Sequence, residues 1–210
     1  MKKIILPFCI GLLMVGSSTA WASDRESNGW KVAKEKDGVT VLLREVDGSA
    51  IREFRGMVTM QTGVEQLVDL YFDAAQCSAW VPNCKTSETV EQISAIEWII
   101  RTELNSPWPI KNRDYVLRIS RSDDVETGAT VLTFQDIRDF PEAGCCVRMS
   151  RFRGLWTFTP IEGGEEERVL VTYQNHFNPA GGFPARLVNA AVADMPLDTL
   201  TNMRNLVEDR

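Results

Sequence analysis

The chain has 210 residues, of which 44% are hydrophobic, 9% aromatic and 25% charged, and its formal net charge at pH 7 is -6. This composition is typical of a folded globular protein and excludes a collagen-like or intrinsically disordered chain. Because the acidic balance repels phosphate backbones, we expect no nucleic-acid partner.

The first residues have the pattern of a secretory signal peptide. Two lysines precede an apolar run from Ile4 to Val15, and Ala20-Trp21-Ala22 has the small-x-small form of a cleavage site. The run is too short to span a bilayer. We therefore predict a signal peptide over residues 1–22, a single mature domain over residues 23–210, and a periplasmic or secreted location.

The cysteines beyond the predicted cleavage site are Cys77, Cys84, Cys145 and Cys146. Their spacing matches neither zinc sites nor thioredoxin-like redox sites, and we predict no metal and no cofactor. An even number of cysteines in an exported protein favours disulfides, of which three pairings are possible. We predict a bond between Cys77 and Cys84, because they are the nearest pair that closes without vicinal strain.

The first predicted element is a β-hairpin. Val39–Val46 and Ile51–Met60 are rich in β-forming residues and are separated by the turn dipeptide Asp47-Gly48. A helix follows, because Thr62 and Glu65 have the spacing of a capping box. The apolar stripe of this helix is Val64, Leu67, Val68, Tyr71 and Phe72.

A loop is predicted over Gln76–Thr86, which is rich in breaking residues, and a strand begins at Ile96. Alternation places Ile96, Trp98, Ile100, Thr102 and Leu104 on one face. Beyond the break at Pro107 and Pro109, further strands are predicted over Asp114–Ser120, Ala129–Ile137, Arg148–Pro160 and Arg168–Phe177. Consecutive strands without intervening helices predict an antiparallel sheet.

The last predicted element is a helix over Pro184–Val207. Its apolar stripe is Leu187, Val188, Ala191, Val192 and Met195, then Leu197, Leu200, Met203 and Leu206. Pro196 should kink this helix, because its missing N–H removes the bond to Val192. A curved sheet with one helix across its concave face leaves a space, which is the usual form of an apolar-ligand site.

Four ordered motifs resemble those of START domains, a lipid-binding helix-grip family. The run Ser106–Val116 is similar to the PWP…RD-aromatic-V signature, Trp80–Cys84 to W-x-x-x-C, Trp156–Pro160 to W-x-F-x-P, and Asn178–Pro184 to the D-P-x-G-x-x-P lead into the last helix. The match spans about Trp30 to Asp209. It implies an α+β fold, in which a curved antiparallel sheet wraps around a long C-terminal helix, and a hydrophobic lipid as ligand.

We expect the ligand to contact side chains in the space under the helix. The predicted ligand-binding residues are Trp98, Ile100, Trp108, Arg113, Tyr115, Leu117, Trp156, Phe158, Tyr173, Leu187, Ala191 and Met195. For any one of the aromatic residues, an ordinary place in the core is an equal alternative. On the last strand, either Val171 and Tyr173 or Leu170 and Thr172 could point inward. Trp80 and Pro82 could mark a mouth that opens toward membranes.

Two polar residues need separate interpretations. Arg113 and Asp114 alternate across a strand and face opposite sides. Arg113 could hold a carboxylate or phosphate of the ligand, or form an ion pair that anchors its loop. His176 is the only histidine, and a pocket-lining or surface position is favoured over catalysis, because the chain has no G-x-S-x-G nucleophile motif.

The leading functional hypothesis is noncatalytic binding of a hydrophobic lipid, with transfer between membranes and transient membrane contact as extensions. An enzyme of the same fold superfamily, such as a cyclase or hydrolase, is the first alternative and requires a positioned acid or base in the cavity. An interaction module whose core is filled by its own side chains is the second, and the absence of a continuous pocket would favour it.

Overall fold

The computed structural model describes residues 28–209, except residues 143 and 165, so the predicted signal peptide lies outside the described residues. The strands are β1 Lys31–Lys36, β2 Val39–Val46, β3 Ser49–Met60, β4 Cys84–Ser94, β5 Glu97–Leu104, β6 Arg113–Asp123, β7 Thr130–Asp136, β8 Val147–Arg148, β9 Ser150–Pro160 and β10 Val169–Asn178. The α-helices are α1 Val64–Phe72, α2 Cys77–Trp80, α3 Ala185–Ala191 and α4 Asp194–Glu208.

The strands form one sheet in the order β1-β2-β3-β10-β9-β7-β6-β5-β4, and neighbours along this path are antiparallel. The short strand β8 pairs with the start of β6 in parallel. Because β3 pairs with β10, the first hairpin is joined to the last strand. The predicted α+β class, with an antiparallel sheet and a C-terminal helix packed on it, is confirmed.

Local pattern correctly predicts the central strands and misses both edge strands. β2 and β3 form the predicted hairpin, closed at Val46 and Ser49. The missed strands β1 and β4 are largely exposed, and β4 begins inside the predicted loop. β4 also contains three register shifts against β5. An edge strand buries little of either face. It carries polar residues and bulges, and these remove the hydrophobic alternation on which the prediction depends.

Helix α1 forms where predicted, with its N-cap shifted by one residue. The prediction paired Thr62 with Glu65, whereas in the structure Gly63 occupies the N-cap and the Gln66 side chain supplies only the half of the box that binds the N-cap N–H. Gln66 Oε1 accepts from the Gly63 N–H at 3.2 Å and from the Thr62 hydroxyl at 2.6 Å. A glutamine side chain at this position satisfies the free N–H as well as a glutamate does.

The predicted C-terminal helix is interrupted at Val192 and Ala193, where the bond from residue 196 was predicted to be missing. Pro196 is the third residue of α4, where the backbone N–H has no intrahelical partner in any case. The proline is therefore accommodated in a first turn, and the chain breaks one turn earlier. As predicted, Leu197, Leu200 and Met203 are buried in the core.

Gly56 of β3 determines how closely α4 approaches the sheet. A Cβ atom at this position would lie 2.7 Å from Leu200 Cδ1 and 3.3 Å from Pro196 Cβ. Only a residue without a side chain allows this contact. The first half of α4 is consequently seated directly on β3, and the remaining space lies toward β5, β6 and β9.

Candidate ligand-binding cavity

A partly enclosed chamber of about 90 Å³ lies between the sheet and the helices. Side chains from α1, α2, β5, β6, β9, β10 and α4 line it together, which requires the sheet to curve around them. On β10 the inward residues are Val171, Tyr173, Asn175 and Phe177, which resolves the ambiguity left by the sequence. Leu170 and Thr172 lie on the other face and are only partly buried.

Stacked aromatic rings form one wall of the chamber. Trp156 of β9 stacks on Tyr173 of β10, with ring centroids 4.0 Å apart and an interplanar angle of 7°. Trp80 and Tyr71 each pack against Trp156 with centroids about 6 Å away. Such ring contacts add to the free energy of apolar burial and restrict the side chains to one arrangement. The wall is therefore apolar and well ordered.

Apart from Asp73, which is exposed at the rim, the polar groups that line the chamber within the described residues are uncharged. Burial raises the pKa of Tyr71, of Tyr115 and of Tyr173, so these phenols remain protonated at neutral pH. The hydroxyls of Ser87 and Thr102 lie 3.1 Å apart and pair with each other. A protonated phenol can donate a hydrogen bond but is a poor general base.

An outer groove of about 450 Å³ adjoins the chamber under α3. Chamber and groove share the lining residues Pro82, Leu104, Met149, Phe177 and Met195. Two of these five are methionines, whose unbranched side chains change rotamer at low cost. The division between the two spaces is therefore made of side chains, and not of backbone.

The structure divides the predicted ligand-binding residues into three groups. Ile100, Tyr115, Leu117, Trp156, Tyr173 and Met195 line the chamber. Arg113, Leu187 and Ala191 line the outer groove, as Met195 also does. Trp98, Trp108 and Phe158 line neither space.

These last three residues correct the predicted lining. Phe158 is fully buried in the core, and Trp98 packs on Phe72 of α1 with ring centroids 4.3 Å apart. Trp98 is thus covered by α1, and Phe158 is enclosed by the core. Trp108 is 93% exposed on the loop before β6. The prolines around it force this loop away from the strand, so strand alternation does not extend to Trp108.

Arg113 anchors a loop, which is one of its two predicted roles. The prediction named an ion pair, whereas the structure shows hydrogen bonds to backbone carbonyls. Its guanidinium donates to the carbonyls of Lys111 and Pro179 and lies 4.5 Å from the ring centre of Phe183. Gly181 approaches so closely that a Cβ there would lie 2.6 Å from Arg113 Nη2, and its φ is +73°. Arg113 thus fixes the segment that leads into α3.

Asp114 faces the opposite side of the sheet and forms an ion pair with Arg148. Its carboxylate accepts two hydrogen bonds of 2.9 Å from Arg148 of β8, and Arg101 Nε lies 3.4 Å away. Burial by itself would raise the pKa of Asp114, but the two guanidinium groups outweigh it and lower the pKa. This pair holds β8 against β6 and takes no part in the chamber.

His176 is buried on the face of β10 that points away from the chamber. Its Nε2 lies 3.0 Å from Ser49 Oγ and 3.2 Å from the Ile51 carbonyl oxygen. Burial, together with the nearby charge of Arg153, lowers the pKa of His176. The imidazole is separated from the chamber by the sheet itself, so it cannot reach a ligand held there.

The sulfurs of Cys77 and Cys84 lie at disulfide distance, with Cα atoms 6.0 Å apart, and those of Cys145 and Cys146 do so as well. The first pair closes the turn that carries Trp80 into the chamber wall. Glu103 lies near Cys145 and Cys146. Disulfide sulfurs are not thiolate ligands, and Glu103 already accepts from Lys85 and Asn112, so this group does not suit a metal ion.

Several lining residues were not among the predicted site residues. Tyr71 was assigned to the apolar stripe of α1, and Trp80 to a mouth, yet both belong to the chamber wall. Asn175 was missed entirely, although an asparagine on the inward face of a β-strand is an unusual choice for a core. That signal could have identified it once the inward face was known.

Among the helices of residues 28–209, none has the length and apolar character needed to cross a membrane.

A curved antiparallel sheet, closed by a C-terminal helix over an apolar chamber, defines a helix-grip fold. The sequence model of the START domain matches residues 15–208. The chain therefore belongs to the START domain family.

Individual relatives agree with this assignment. The STAR-related lipid transfer protein of Xanthomonas axonopodis is 31% identical, and its crystal structure superimposes with a TM-score of 0.77 over 86% of this chain and 99% of that one. An uncharacterized protein of Pseudomonas aeruginosa is 30% identical over 90% of this chain and 92% of its own length. The phosphatidylcholine transfer protein of Mus musculus is 27% identical over 77% of this chain and 76% of its own length.

Proposed function

We propose that this protein binds an uncharged or weakly polar lipid between the sheet and the C-terminal helix, and transfers it between membranes without chemical change. The observation that carries the proposal is the apolar chamber, which continues into the outer groove through flexible side chains. Apolar surface that a lipid buries here contributes about 25 cal/mol per Å² to binding. The names of the Xanthomonas and mouse relatives support lipid transfer, but not this choice of lipid.

The closed chamber is too small for a lipid. Ligand sites occupy roughly 300–1,000 Å³, a range that the outer groove reaches and the chamber does not. Lipid entry therefore requires the dividing side chains, Met149, Phe177 and Met195 among them, to move apart. Helix α3 covers the groove and contains no buried residue, which makes it the segment that can be displaced at least cost.

Membrane contact belongs to the same proposal. Trp108 is 93% exposed, and Leu187 on the rim of the groove is 63% exposed. Ser106, two residues from Trp108, also lines the groove, so the tryptophan lies beside its entrance. Tryptophan partitions readily into the interfacial layer of a bilayer. Insertion of Trp108 would bring the groove to the membrane surface, where a lipid can enter.

The predicted signal peptide supports a periplasmic or extracellular place for this activity. In water between two membranes, a lipid needs a protein to cover its apolar surface. The acidic net charge opposes strong adhesion to anionic membranes, which suits a carrier that must leave the membrane again.

An enzyme of the same superfamily is the less favoured function. Apart from the Asp73 carboxylate at the rim, the polar groups that line the chamber within the described residues are protonated phenols, hydroxyls, one amide and one indole N–H, and His176 lies behind the sheet. The small volume of the chamber instead favours the third hypothesis, an interaction module with a filled core. The carrier and the interaction module differ in what they predict for lipid uptake, because only the carrier takes up lipid.

The test is purification of the full chain without detergent from an exported fraction, followed by native mass spectrometry and identification of extracted small molecules. A carrier is expected to retain lipid at about one molecule per chain and to move a fluorescent neutral lipid between vesicles. Protein that carries no lipid, and takes none from vesicles, would show that the core is filled and would exclude the carrier function. Conversion of the bound lipid into a product would favour the enzyme.

A further inference from the structure

Asn175 has a buried polar atom with no partner. Its side chain is 0% exposed, and its Nδ2 lies 3.4 Å from Tyr173 Oη. Within the part of the chain that the structure describes, no group donates to its Oδ1. The alternation of β10 puts Asn175 on the same inward face as Tyr173 and Phe177, and all three line the chamber. Buried carbonyl oxygens are normally paired, so this one requires an explanation.

Trp80 presents the complementary case in the same chamber. Its indole Nε1 is buried and has no acceptor in the described residues. Of the residues that line the chamber, one thus has an unpaired acceptor and another an unpaired donor. The neighbouring hydroxyls of Ser87 and Thr102, in contrast, satisfy each other.

The surroundings of these two atoms do not favour an ionic head group. Asp73 is the one carboxylate in the chamber lining over the described residues, and it lies exposed at the rim. Its oxygens already accept from the Ala75 N–H and from Gln76. No lysine, arginine or histidine of the described chain lines the chamber. A phosphate brought here would lose its hydration without gaining a counter-charge.

We propose that the lipid carries an uncharged head group with a hydroxyl or amide N–H, and that this group donates a hydrogen bond to Asn175 Oδ1. An oxygen of the same head group accepts from Trp80 Nε1, and the hydrocarbon part lies toward the outer groove. This inference rests on the proposed lipid-binding function and specifies its ligand class. A phosphatidylcholine head group has no hydrogen-bond donor, so the proposal excludes it from this chamber.

The test compares two isomeric probes, of which the first has a hydrogen-bond donor and the second has none: dodecanol and methyl undecyl ether. Their binding to the purified full chain is followed by the fluorescence of the chamber tryptophans. We expect dodecanol to bind about tenfold more tightly, the effect of one hydrogen bond to a buried acceptor. Asn175→Leu should remove the difference by weakening dodecanol alone, because the ether never used Oδ1.

The outcomes separate this inference from the proposed function. Equal affinity of the wild-type protein for both probes would overturn the inference and leave lipid binding intact. Binding of neither probe, together with no lipid in the purified protein, would overturn the proposed function itself. If Asn175→Leu does not fold, Asn175→Ala takes its place, and the wild-type comparison remains decisive.

Discussion

Asn189 of α3 is bonded through both ends of its amide to the backbone around Arg52 at the start of β3. Its Oδ1 accepts from the Arg52 N–H at 2.9 Å, and its Nδ2 donates to the Ala50 carbonyl at 2.9 Å. No side chain of α3 is fully buried, although Ala185 and Val188 pack partly on the core, so this amide is a large part of what holds the helix over the groove.

Asn189→Ala should therefore speed lipid uptake. Loss of two hydrogen bonds worth about 1 kcal/mol each lowers the cost of displacing α3 and raises the transfer rate by up to about 30-fold. The measurement is the rate at which a fluorescent neutral lipid leaves donor vesicles. Asn205→Ala, an exposed asparagine on α4, is the control and should leave the rate unchanged. An unaltered rate in Asn189→Ala would mean that α3 is not the segment that opens.

Ala191→Trp should block the groove without unfolding the protein. Ala191 is exposed and lines the groove, so the larger ring occupies open space and does not overpack a core. We expect lipid affinity to fall at least tenfold, while the free energy of unfolding changes by about 0.5 kcal/mol. Ala190→Trp, on the neighbouring exposed position outside the lining, is the matched control. Equal lipid affinities in the two variants would contradict a binding role for the groove.

Trp108→Ser should weaken the association with neutral vesicles. The exposed indole is the largest apolar group beside the groove entrance, and its loss removes the interfacial contact. Val125→Ser is the control, because Val125 is 98% exposed in the loop after β6, at the opposite end of that strand from Trp108. Co-sedimentation with vesicles measures the difference. If both variants bind vesicles like the wild type, the Trp108 loop is not the docking element.

His176 should make stability depend on pH below about 6.5, the pKa of histidine in an unfolded chain. Its pKa is lowered in the folded protein, so between the two values the unfolded state binds more protons. The contribution of His176 to the free energy of unfolding is thus fully present above about pH 6.5. It is lost as the pH falls from there through the lowered pKa of the folded state. Urea midpoints from pH 7.5 to 5 should fall in the wild type and fall less in His176→Gln.

The same variant also tests the enzyme hypothesis. Lipid binding at pH 7 should be unchanged in His176→Gln, because the imidazole lies on the far side of the sheet from the chamber. Loss of a chemical turnover in this variant would contradict the carrier function.

Replacing Cys77 and Cys84 by serine should destabilise the fold by about 2 kcal/mol, because the bond restricts a loop of the unfolded chain. The bond between Cys145 and Cys146 closes no comparable loop. Replacing both of these cysteines by serine should therefore destabilise the fold less. Urea unfolding measures both. Titration of free thiols in denatured, unreduced wild-type protein should find none, and two or more reactive thiols would contradict full oxidation.

Local pattern was sufficient for the elements that bury one face. The hairpin of β2 and β3, the stripe of α1 and the consecutive antiparallel strands all follow from a period of two or 3.6 against a core. The START motifs, among them the run that contains Trp108, Arg113 and Asp114, pointed to the fold and to the ligand class together. Edge strands β1 and β4 bury little, so no period marks them.

Only the assembled fold separates the chamber from the core. Trp156 and Phe158 occupy equivalent inward positions on β9, yet one lines the chamber and the other is fully enclosed, because α1 covers just one end of the sheet. The same holds for the C-terminal stripe: Val192 is buried, Val188 packs partly on the core and Leu187 is exposed, although all three belong to one predicted apolar face. Periodicity specifies which way a side chain points, but whether another element fills the space in front of it depends on contacts between residues far apart in the chain.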